Sequence, residues 1–290
     1  NEGAPSSPHF IQTDEFGKFM KCRVFGQQPV VDPTFGNICL YDHPNAHLTS
    51  TSFYGGNYPW LFWNNGGNSN SYKLYRDVDY ADQHLYANES GPEHTPGFFD
   101  SALFTHELST VPGLFATTTR KPFMRGEVAW TFDATNLFEI NADHGVWLHD
   151  FIWGGINHGG LMEHFFTGGH FTDQIYKISG TTVSHDHRHM FKPYYDFIKN
   201  VPLNNGRYVD AVPGATGAEM RAWGQKDTVN KRAHLWISNK RHIWCAVVTQ
   251  NVSGCPQAKW STLSVVQKRL SGTVTISGFT PNIGYTIEWW

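Results

Sequence analysis

Hydrophobic and polar positions fall into two rhythms that change at Pro202. Before it, strand-like runs are widely spaced. His47-Leu48-Thr49-Ser50-Thr51-Ser52-Phe53 is β-rich and ends at a Gly-Gly pair, Val78 to Tyr86 alternates and ends in polar residues, and Lys121 to Val128 does so again. Spacings of about 30 to 40 residues fit βα units feeding a parallel sheet. Phe16, Phe19, Met20 and Val24 recur at near-helical spacing, and Gly26 suits a helix end. Val146, Trp147, Phe151 and Ile152 predict a second helix, followed by a Gly159-Gly160 turn and a strand through Phe166. Tyr194, Tyr195, Phe197 and Ile198 predict a third. After Pro202 the runs are short and close: His234 to Ser238, Ile243 to Val248, Gly272 to Ile276 and Tyr285 to Trp290, each bounded by turn residues. That spacing describes an antiparallel sandwich, so the chain is expected to divide into 1-204 and 205-290.

Composition narrows the partners. A net charge of -3 and a pI near 6.6 give no electrostatic footprint for nucleic acid or an anionic membrane surface, and neither is expected as a partner. The sequence has no apolar run long enough to span a bilayer, and its first residues show no basic-plus-apolar leader pattern. Charged residues make up only 16% while aromatics reach 15%, with 11 Trp and 12 Tyr. Such residues stack on the apolar faces of sugar rings or fill core, and both readings stand for Tyr54, Tyr58, Trp60 and Trp63 in their Gly/Asn-rich surroundings.

Cys245 and Cys255 flank a Gly254-containing turn and are close enough to be bridged, whereas Cys22 and Cys39 pair less readily by argument; four buried thiols are the alternative. Asn88-Glu89-Ser90 and Asn251-Val252-Ser253 are glycosylation sequons in a secreted eukaryotic protein. His185-Asp186-His187-Arg188-His189 has a spacing that could hold a divalent ion, but no carboxylate or thiol accompanies it at a telling distance, and a solvated loop is the blander account. No metal and no cofactor is assigned.

The chemistry-bearing residues stand at strand ends, where parallel α/β folds gather their active sites. Glu127 closes the run Lys121-Pro122-Phe123-Met124-Arg125-Gly126-Glu127, His84 and Tyr86 close the preceding one, and Glu2 follows Asn1 at the start. In this order the pieces resemble clan A glycoside hydrolases, the cellulase-like (β/α)8 enzymes with an appended C-terminal β-sandwich. Asn1-Glu2 is similar to the Asn-Glu pair ending the fourth barrel strand, Asp42 to Phe53 to the fifth strand with its lead-in, His84 and Tyr86 to the His-x-Tyr of the sixth, and Lys121 to Glu127 to the seventh. Val146 to Phe166 resembles the run into the eighth strand, and Gly278 to Trp290 the last hairpin of the sandwich. The eighth strand departs from the pattern: it reads Met162-Glu163-His164-Phe165-Phe166 where relatives carry Trp-rich sequence.

The resemblance implies an α/β fold with the C-terminal portion of a (β/α)8 TIM-type barrel, strands four to eight, in 1-204, and a small antiparallel β-sandwich in 205-290. Barrel strands one to three would then precede Asn1 in a larger protein. It also implies a retaining glycoside hydrolase, extracellular or periplasmic, whose substrate is a β-linked polysaccharide or oligosaccharide. Glu127 would be its nucleophile and Glu2 its acid/base, with Asn1, His84, Tyr86, Trp130 and Trp153 contacting substrate. Retaining hydrolysis needs two carboxyl groups about 5–5.5 Å apart, one ionised and one protonated. Blander readings compete: a surface ion pair for Glu127 with Arg125 or Lys121, a satisfied core histidine for His84, and core packing for Trp130 and Trp153. The alternative function is a non-catalytic carbohydrate-binding or structural extracellular protein derived from a glycosidase scaffold.

Overall fold

A computed structural model of the chain describes residues 28–32, 36–40, 52–54, 79–86, 99–110, 123–129, 145–156, 162–164, 175–178, 181–184, 188–247 and 254–290, together with Gln12, Phe16, Phe19, Met20, Cys22 and Asn251. For the strands before residue 188 the description is of the backbone. The described residues fall into two compact units.

The first unit holds β1 (Gln28–Asp32), β2 (Gly36–Leu40), β3 (Ser52–Tyr54), β4 (Ala81–Tyr86), β5 (Phe123–Ala129) and β6 (Met162–His164). Phe16, Phe19 and Met20 have helical backbone, as their spacing predicts, and so does Cys22; Val24 and Gly26 lie outside the described residues. β1 and β2 form an antiparallel hairpin, from Gln28 opposite Leu40 to Asp32 opposite Gly36. The sequence reading did not anticipate it. Val30, Val31 and Ile38 favour extended backbone and Asp32-Pro33 is a turn-favouring pair, but Pro29 and Gly36 interrupt the alternation that would have announced two strands. The other four strands make one parallel sheet in chain order, β3-β4-β5-β6.

The second unit contains α1 (Ser101–Thr110) up to Ser109, α2 (Val146–Gly154), the hairpin of β7 (Ile175–Ile178) and β8 (Thr181–Ser184), α3 (Arg188–Ile198) and everything that follows, so it includes residues on both sides of position 204. β9 (Val209–Asp210), β11 (Met220–Asp227) and β12 (Arg232–Asn239) form an antiparallel sheet with β11 in the middle; β10 (Gly214–Thr216) pairs with β13 (Thr273–Thr275).

One face of the β11–β12 pair supplies the core. Register puts Arg221 opposite Ser238, Trp223 opposite Trp236, Gln225 opposite His234 and Asp227 opposite Arg232, so these side chains share a face. α1 and α2 lie against it. Trp223 donates its indole N–H to the Gly154 carbonyl at 2.8 Å, and Ser101 donates to the Trp147 carbonyl at 2.6 Å. The helices meet at small residues: a Cβ on Gly154 would lie 2.7 Å from both Cα and O of Ala102. α2 is apolar almost all round, with Trp147, Leu148, Phe151, Ile152 and Trp153 buried, as suits a helix enclosed by its neighbours rather than one with a single inward stripe.

Arg221 ties the parts together. Its guanidinium forks onto Asp100 at 2.5 and 2.8 Å, its Nε donates to Ser238 at 2.9 Å, and it lies over the rings of Trp223 and Trp236 at 5.2 and 5.5 Å. Asp100 also accepts from the N–H of Leu103, capping α1. The β11–β12 turn depends on Asp227, which accepts from Asn205 and Asn230 side chains at 2.9 and 2.6 Å and from the N–H groups of Val229 and Asn230. Those donors, the Asn230 N–H foremost, hold its carboxyl below the usual carboxylate value.

Two expected strands differ. Trp244–Val247 is a helical turn, α4, not a strand: Ala246 and Val247 return their N–H groups to the Ile243 carbonyl at 3.0 and 3.2 Å. Ile243, Trp244, Cys245 and Ala246 are all buried. Consecutive burial suits a turn of helix surrounded by core, whereas a one-faced strand buries every second residue. Cys245 is bridged to Cys255, with Cα atoms 5.9 Å apart, and Cys22 is disulfide-bonded as well. Tyr285 to Trp290 pairs with no described strand, and Ile287 and Trp289 are exposed.

Two outcomes test this core. Gly154→Ala should lower stability by about 1–3 kcal/mol, because the clash is with backbone and α1 must move away; a variant as stable as the parent in urea, or stabilised by alanine's helix propensity, contradicts the close approach. The second outcome concerns pH. His106, stacked on Trp223 at 4.2 Å, and His234 are both pushed down from 6.5 to about 4, by burial first and, at His106, by Arg221 as well. Both stay neutral in the folded protein where the unfolded chain's histidines take up protons, so stability falls as pH drops from about 6.5 towards 4. Asp150 opposes this loss, since burial raises its carboxyl and its protonation favours the fold. The urea midpoint should fall between pH 7 and 4.5, less steeply in His234→Gln; an equal slope in parent and variant contradicts the assignment.

Candidate functional site

Parallel pairing sets the candidate residues in a row. β3 pairs with β4 so that Tyr54 is level with His84, and β4 pairs with β5 so that His84 is level with Glu127, Leu85 with Val128 and Tyr86 with Ala129. Alternation along a strand then puts Tyr54, His84 and Glu127 at one height and on one face of the sheet, with Tyr86 on the same face one step further toward the strand end. Adjacent strands lie about 4.8 Å apart, so the row is compact.

β5 carries an irregularity just before Glu127. Asp82 is level with Met124 but His84 with Glu127, and on the other side Arg125 is level with Met162 but Val128 with His164. Against both neighbours β5 therefore has one residue too many over this stretch, which is a bulge, and Gly126 lies in it. Such bulges recur beside active sites because they reset which residue meets which neighbour. Without it, Glu127 would not be level with His84.

His84, Tyr86 and Glu127 are thus brought to neighbouring strands. Asn1, Glu2 and Trp130 lie outside the described residues, as do Tyr58, Trp60, Trp63 and His185 to His187. Trp153 belongs to the second unit, where it is 8% exposed and packs on Tyr194 at 5.3 Å and Phe197 at 5.7 Å. It is one of the buried core residues of that unit. Tyr54 is the member of the row that the sequence offered only as one of several aromatic stacking residues; its place as the last residue of its strand was the available signal.

Among the described residues of the second unit, two ion pairs serve structure. Asp100 and Arg221 hold each other, and Glu219 is held low by Arg241, which donates to it at 2.7 Å. Among the described residues no group of His, Cys, Asp and Glu could hold a metal ion, and no helix is long and apolar enough to cross a membrane. The chain matches no family model, no curated protein and no solved structure.

Proposed function

We propose that the protein is a retaining glycoside hydrolase acting on a β-linked polysaccharide or oligosaccharide, with Glu127 as nucleophile and Glu2 as acid/base. The observation that supports this most is the register that sets His84 level with Glu127 at the C-terminal end of a parallel sheet, beside a bulge. In the first step the Glu127 carboxylate attacks the anomeric carbon while Glu2 protonates the departing glycosidic oxygen. In the second, Glu2 takes a proton from water, and the resulting nucleophile releases the sugar from its ester with Glu127. His84 and Tyr86 supply hydrogen bonds to Glu127 or to substrate hydroxyls, and Asn1 and Trp130 complete the subsite. Two features accord with an extracellular or periplasmic location: the Cys245–Cys255 bridge and the disulfide-bonded state of Cys22.

Kinetics on aryl β-glycosides with the full chain as its gene encodes it test the roles. Glu127→Gln should reduce turnover by several orders of magnitude while leaving the melting temperature close to the parent's. Glu2→Gln should slow hydrolysis least for the best leaving groups, which need little protonation. A Glu127→Gln variant within about tenfold of the parent, or a parent that cleaves no glycoside, sets the enzyme reading aside in favour of a non-catalytic carbohydrate-binding or structural protein.

A further inference from the structure

The sequon Asn251-Val252-Ser253 stands in a loop that the glycosidase reading does not use. Cys245 is buried together with Trp244 and Ala246, while its disulfide partner Cys255 is half-buried and follows the exposed Gly254. The bridge therefore runs from core towards surface and fixes the base of the loop between the two cysteines. Asn251, inside that loop, is exposed and belongs to no helix or strand. Pro256 and Ala258, just past the bridge, are exposed as well. The second sequon, Asn88-Glu89-Ser90, lies outside the described residues.

We infer that Asn251 is a modification site, carrying an N-linked oligosaccharide attached in a secretory compartment. The donor is an oligosaccharide on a polyisoprenyl diphosphate. In the transfer the Asn251 amide nitrogen bonds to the anomeric carbon, the bond from that carbon to the diphosphate oxygen breaks, and the amide gives up one proton as the lipid diphosphate leaves. Recognition needs a hydroxyl two residues on, here Ser253, and a residue other than proline between, here Val252. A glycan is bulky and strongly hydrated, so only an asparagine at the surface and outside regular hydrogen-bonded structure accommodates it. Asn251 meets both conditions. The compartment agrees, since the Cys245–Cys255 bridge and the disulfide-bonded state of Cys22 belong to an oxidising environment, as the secretory pathway is. The inference stands on sequon, exposure and disulfides, and holds whether or not Glu127 acts on sugars.

The experiment expresses the full chain, as its gene encodes it, in eukaryotic cells and maps peptides of the product by mass spectrometry. Peptide-N-glycosidase in heavy-oxygen water converts a glycosylated asparagine to a labelled aspartate and leaves a free asparagine unchanged. The label should appear at position 251 in most secreted chains, and the intact protein should lose the mass of a glycan on treatment. Ser253→Ala should abolish the label at Asn251, while Ser253→Thr, which keeps the hydroxyl, should retain it. This pair leaves the asparagine in place, so it tests the site even where Asn251→Gln fails to fold. Asn251 recovered unlabelled in the secreted parent, a label at Asn88 alone, or a label that persists in Ser253→Ala would overturn the assignment. So would a parent chain that the cells keep in the cytosol with Asn251 unmodified.

Discussion

The row of candidate residues in the first unit depends on the register between β4 and β5. Strand side chains alternate, so a slip of one residue would send Glu127 to the opposite face from His84 and Tyr86. The irregularity ahead of Glu127 is what permits the observed pairing, because an uninterrupted β5 would set Gly126, not Glu127, beside His84. Gly126 in that stretch has the least steric resistance to the bulged conformation. A single local departure from regular pairing thus brings Glu127 of β5 level with His84 of β4, itself level with Tyr54 of β3.

The second unit is organised by burying a cation. Arg221 is 9% exposed, and removal of its charge from water is offset by two hydrogen bonds to Asp100, one to Ser238 and the faces of two tryptophans. An ion pair so placed adds little net stability over an apolar pair of the same shape, yet breaking one side leaves an uncompensated charge and costs about 3–5 kcal/mol. Its consequence is positional: the same Asp100 that neutralises Arg221 caps α1, so helix and sheet have one relative placement. The small residues at the α1–α2 contact then let the Gly154 carbonyl reach the Trp223 indole.

Much of this was legible in the chain because period and chemistry agreed. β4 and β5 show alternation ending in polar residues, α3 shows helical spacing, and β11's partner β12 reads as an apolar run between turns. The losses have physical causes. Ile243 to Val248 is rich in β-forming residues, but the continuous burial of Ile243 to Ala246 and the Cys245–Cys255 link select a helical turn over Trp244–Val247. Trp153 looks in sequence like any aromatic near a glycine-rich turn; only the packing of Tyr194 and Phe197 against it identifies it as core. Which residues of β5 meet β4 and β6 depends on pairing between segments far apart in the chain, which no local pattern encodes.

The central claim is that Glu127 is the residue that becomes bonded to sugar. An aryl 2-deoxy-2-fluoro-β-glycoside with a dinitrophenolate leaving group needs no acid catalysis, and its fluorine slows release of the glycosyl ester, so the covalent species accumulates. Peptide mass spectrometry after incubation with the full-length protein reads the attachment site directly. The account predicts one fluoroglycosyl group per chain, on the peptide containing Glu127 and absent in Glu127→Gln. Time-dependent inactivation with the label on a different residue, or an active enzyme that never acquires the label, would contradict it.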